Sequence, residues 1–128
     1  MKIPVIVEVS AEKVRDQICV AFEGGSNYWL QEADLVQADI KPTEKPWYSC
    51  PKLFEGKYQI ALKYDDPKKD EGNGEGRKTI NQDDVQKGMF AMANKSPRHF
   101  ADLLNEEGDT ITADVFFQYI LFGEVIYG

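Results

Sequence analysis

Apolar and polar positions alternate from the start of the chain. Ile3, Val5, Val7 and Val9 share one face of an extended segment, and Pro4, Ile6 and Glu8 share the other, so a first strand is expected. Ser10 then stands where a helix needs its cap, Glu12 lies in the first turn, and Val14, Ile18, Ala21 and Phe22 recur at helical spacing. Gly24 and Gly25 supply a left-handed stop for that helix.

Between residues 28 and 37 two periods compete. Trp29, Ala33, Val36 and Ile40 fit a helical stripe, but the aromatic and β-branched content favours a strand. Pro42, Pro46 and Pro51 exclude regular helix around Trp47 and Tyr48 and predict a short extended piece. The clearest strand follows, with Tyr58, Ile60, Leu62 and Tyr64 alternating against Lys57, Gln59, Ala61 and Lys63. Residues 65–76 form a polar, glycine-rich loop from which residues 77–80 return as a strand. Asn81 and Asp84 have the spacing of a capping box for a helix that buries Val85, Met89, Met92 and Ala93. Ser96-Pro97 opens a short helix through Phe100, Leu103 and Leu104 that runs to Gly108. Thr112 caps a last helix, which Gly123 ends. The expected fold is α+β: one domain over residues 1–128, with a single sheet of four to five mainly antiparallel strands, an N-terminal helix and a C-terminal helical cluster.

Charge narrows the function. A net charge of −7, from 22 acidic and 15 basic residues, opposes binding of duplex nucleic acid. The opening apolar run is broken by Glu8 and is too short for a signal peptide, and no run approaches the ~20 apolar residues of a membrane span. A cytoplasmic protein with no membrane partner is expected, with Cys19 and Cys50 reduced.

Candidate chemistry is sparse. The glycines before Arg77-Lys78-Thr79 depart from a phosphate-binding loop, because Arg77 occupies the place of the second glycine, and the acidic run lacks the offsets of a calcium loop. His99 is the only histidine, with no nucleophile near it in sequence, and the paired carboxylates are adjacent rather than convergent. No catalytic residue, metal ligand set or cofactor is expected. Two aromatic doublets, Tyr28-Trp29 and Trp47-Tyr48, have two readings: they fill a core, or with Arg77 and Lys78 they form a stacking surface for a small nucleotide-like ligand. The last helix carries one narrow polar stripe, Asp114 and Gln118, and is apolar in nearly every other direction. It is either a central core helix or an oligomer interface built on Phe116, Phe117 and Ile120, with Tyr127 beside them.

Two segments carry a resemblance: Gly24-Gly25-Ser26-Asn27-Tyr28-Trp29 after the first helix, and the apolar run from Ala113 to Gly128. They resemble segments of small uncharacterised proteins of bacteriophages and prophages. The resemblance implies a non-enzymatic phage accessory protein in the host cytoplasm, a homo-oligomeric binding module that neutralises a host factor or sequesters a small nucleotide-like signal. A structural or assembly component of a phage particle is the alternative.

Overall fold

Ser10 accepts a hydrogen bond from the Lys13 backbone N–H and opens α1, Ala11–Val20, in the computed structural model, which describes residues 1–66 and 74–128. Val14 and Ile18 face the core, as their spacing predicts. The helix does not end on a left-handed glycine. It runs into one π-helical turn, Ala21–Gly25, and among the described glycines only Gly123 and Gly128 have positive φ. What Gly25 provides is a close approach: a Cβ there would stand 2.6 Å from the Thr110 carbonyl oxygen, whereas one on Gly24 would meet nothing nearer than 3.9 Å.

Among the described residues the sheet has three strands, all antiparallel, in the order β1 (Leu30–Ala38), β2 (Tyr58–Asp65), β3 (Glu75–Asn81). Leu35 pairs with Ile60 and Ile60 with Ile80, so one face of the sheet is apolar and packs on the helices. Two register shifts, at Leu30/Glu32 and Leu35/Gln37, interrupt the ladder along β1.

The expectation of four to five strands is therefore corrected to three. Residues 1–9 carry no regular secondary structure and join none of the strands, and Ile3, Val5 and Ile6 are 73%, 74% and 96% exposed. Alternation makes a segment competent to be a strand; whether it pairs depends on an edge within reach. The proline-rich segment forms two 3-10 turns, Trp47–Ser49 and Pro51–Glu55, because proline cannot donate to a ladder. The polar loop expected over residues 65–76 falls largely outside the described residues.

The helical cluster follows. α2, Gln82–Lys95, opens on the reciprocal Asn81–Asp84 capping box. α3, Pro97–Leu104, has proline in its first turn and stops at Asn105, short of Gly108. α4, Thr110–Phe122, starts earlier than its threonine suggested: Asp109 is the cap and accepts from the Ile111 and Thr112 N–H groups, which leaves Thr112 buried inside the helix. Gly123, at φ 70°, closes α4 in the left-handed conformation.

Every residue of α4 from Thr112 to Leu121 is buried, because α1, α2, α3 and the π-helical turn surround it. Gly88 on α2 permits a close approach to α4, where an added Cβ would lie 2.7 Å from the Ile120 Cα. The chain covers its own apolar helix. Phe116 and Phe117 are fully buried and Ile120 is 5% exposed, so the subunit interface expected on them is corrected to an internal core.

Candidate functional site

Residues 24–29 and the apolar run from residue 113 to 128 meet at Asp114. Its Oδ1 accepts from the Ser26 hydroxyl at 2.8 Å and the Trp29 indole N–H at 2.7 Å; its Oδ2 accepts from the Tyr28 hydroxyl at 2.5 Å and the Gln118 amide at 3.0 Å. Gln118 extends the arrangement, its Oε1 accepting from the Ile126 and Tyr127 N–H groups and its amide donating to the Tyr127 carbonyl. Burial, followed by the hydrogen bond to Asp114 and its charge, pushes the Tyr28 phenol well above its ordinary value. A buried carboxylate with four donors is a structural clamp. It holds the turn after α1, the middle of α4 and the last residues of the chain in one place. The sequence showed Asp114 and Gln118 as a polar stripe four residues apart, but not the donors that satisfy them.

The clamp settles the first aromatic doublet. Trp29 is fully buried, stacked on Tyr127 with centroids 5.7 Å apart and an interplanar angle of 11°, and flanked by Tyr64, Phe117 and Phe122. Tyr127, expected at an interface, is this inner partner. Tyr28 is 54% exposed while its hydroxyl is bound to Asp114. Trp47 is half-buried with Phe22 and Tyr48, and Phe22 joins this group to Phe117. Arg77 and Lys78 lie on β3, beside a shallow depression of about 290 Å³ on the sheet that they share with Glu32, Asp34 and Lys63. The structure does not bring Tyr28, Trp29, Trp47, Arg77 and Lys78 together around one ligand.

The groups with catalytic potential are also dispersed. His99 Nδ1 lies 3.4 Å from the Thr112 hydroxyl, and the Cys19 thiol faces the Tyr48 carbonyl at 3.6 Å. Cys19 and Cys50 are both free, and burial raises the Cys19 thiol above its usual value.

The surface that stands out is apolar. A groove of about 490 Å³ runs between residues 5–9 and α2, with Val5, Val7 and Val9 on one wall, Val85, Met89, Phe90 and Ala93 on the other, and Val14, Phe54 and Tyr58 among the residues that close it. Phe90 is 74% exposed, although it belongs to an otherwise amphipathic helix. Polar lining comes from the uncharged Gln82, Gln86 and Asn94. Charged residues of both signs directly follow lining residues in sequence, Glu8, Glu12, Glu55 and Asp83 together with Arg15, Lys87 and Lys95. No protein-family model, curated protein or solved structure matches this chain. Residues 24–29 and 113–128 build the clamp rather than the groove. Sequence reasoning missed the groove; its signal was Phe90, an aromatic outside the buried stripe of α2.

Proposed function

We propose that this chain is a phage-type accessory protein that acts by binding a host protein, and that the target inserts an apolar segment with basic flanks into the groove between residues 5–9 and α2. The observation that carries this reading is the exposure of Phe90, Val5 and Val7 along one continuous apolar trough. The net charge of −7 favours basic flanks on whatever enters it. A nucleotide-like ligand has less support, because the aromatic and basic residues that would hold it lie in separate parts of the fold.

A photo-crosslinking amino acid at position 90, expressed in bacterial cells, tests the reading, with position 36 on β1 as the exposed control. The expected product is a discrete adduct of position 90 with a bacterial protein that is lost in Met89→Glu and weakened by salt. No adduct, or an equal yield from both positions, would overturn it.

A further inference from the structure

Residues 2–8 read Lys-Ile-Pro-Val-Ile-Val-Glu: an apolar run with a positive charge at one end and a negative charge at the other. The segment has no regular secondary structure and belongs to none of the three strands. Its apolar side chains are exposed, Ile3 at 73%, Val5 at 74%, Ile6 at 96% and Val7 at 46%. An exposed β-branched segment outside the sheet is suited to pair as a strand with another chain.

The charges select which chain. When two copies of this segment run antiparallel and centre on Val5, Ile3 faces Val7, Pro4 faces Ile6, and Lys2 faces Glu8, each pair occurring twice by two-fold symmetry. A shift of one residue places Lys2 opposite Val7 or Val9, and a parallel pair places like charges together. Proline supports the same register. Pro4 has no N–H, so the Pro4–Ile6 pair takes a non-hydrogen-bonded position; the Val5–Val5 and Ile3–Val7 pairs then exchange the backbone bonds. Lys2–Glu8 falls in the non-hydrogen-bonded class, where facing side chains are closest.

We propose that two copies of this chain form a two-fold dimer by pairing residues 2–8 as antiparallel strands centred on Val5. Val5, Val7 and Val9 of each copy line that copy's own groove, so pairing sets two grooves on one side of a two-stranded ribbon. The dimer concerns the backbone edge of residues 2–8 and does not depend on what occupies the groove. Seven residues per copy fall short of the ~20–30 of a standard interface, so the dimer exchanges rapidly.

Sedimentation of the full chain over a concentration series tests the register. Wild type should dimerise, Lys2→Glu and Glu8→Lys should each weaken association by about tenfold, and the double reversal should restore it. A cysteine at position 5, with Cys19→Ser and Cys50→Ser as background, should form a disulfide-linked dimer with diamide, because facing Cα atoms of a hydrogen-bonded pair stand ~5.5 Å apart. Ile6→Cys, whose facing residue is Pro4, should crosslink far more slowly. A wild-type monomer at millimolar concentration, a double reversal that fails to restore association, or equal crosslinking from positions 5 and 6 would each overturn the proposal. A monomer that still captures a bacterial protein from position 90 would remove the dimer and leave the groove reading in place. A dimer without that adduct would do the reverse.

Discussion

Removal of the Asp114 carboxylate deprives four donors of an acceptor, and their burial ranks the damage. Ser26 and Trp29 are fully buried and both donate to Oδ1, so in Asp114→Ala neither reaches a replacement acceptor or water. An unsatisfied buried donor costs about 1–3 kcal/mol, which places the loss from these two at about 2–6 kcal/mol. Tyr28 is half exposed and turns its hydroxyl to water, and Gln118 keeps the Tyr127 carbonyl, so neither adds much. Asp114→Asn is the graded control. Its carbonyl can retain Ser26 and Trp29, while its amide meets the Gln118 amide donor to donor; the Tyr28 hydroxyl can reverse and accept, and the expected loss is about 1–3 kcal/mol. Against a domain stability of about 5–15 kcal/mol, the alanine variant should be visibly marginal. Urea unfolding followed by tryptophan fluorescence measures both variants, and an unchanged m-value would place the effect in the folded state. An alanine variant within about 1 kcal/mol of wild type, or an asparagine variant as damaged as the alanine one, would refute the clamp.

The two adjacent glycines should behave differently. Gly25→Ala should cost about 1–3 kcal/mol because its Cβ meets the Thr110 carbonyl at 2.6 Å, while Gly24→Ala should be neutral or slightly stabilising; equal losses by thermal denaturation would argue against the close-approach account. Asp109 gives a pH test. The Thr112 and Ile111 N–H groups hold its carboxyl below the ordinary value, so its contribution is present above the unfolded pKa of ~3.9 and is lost as pH falls through the lower folded value. Asp109→Ala should therefore lower stability at neutral pH and flatten the acid limb below about pH 4, and parallel curves for the two proteins would contradict this.

Features that depend on a few neighbouring residues were legible in the sequence. Ser10 caps α1, Asn81 and Asp84 form their box, Gly123 closes α4, and the alternation from Tyr58 to Tyr64 is β2. Each is fixed by local hydrogen bonding or by a repeat of two residues, and a linear pattern contains that information. The alternation at Ile3–Val9 was equally legible and gave no strand of the sheet, since a ladder needs a second segment at the right edge and no local pattern names it. Gly24-Gly25 had the composition of a helix stop, yet its reason is the Thr110 carbonyl, a contact made across the fold. The apolar surround of α4 left two coverings open, and only the packing of α1, α2 and α3 decided that the chain covers it itself. Asp114 shows the limit most directly: its buried donors Ser26 and Trp29 stand 88 and 85 residues away, so its role existed nowhere in the sequence until folding brought the two segments together.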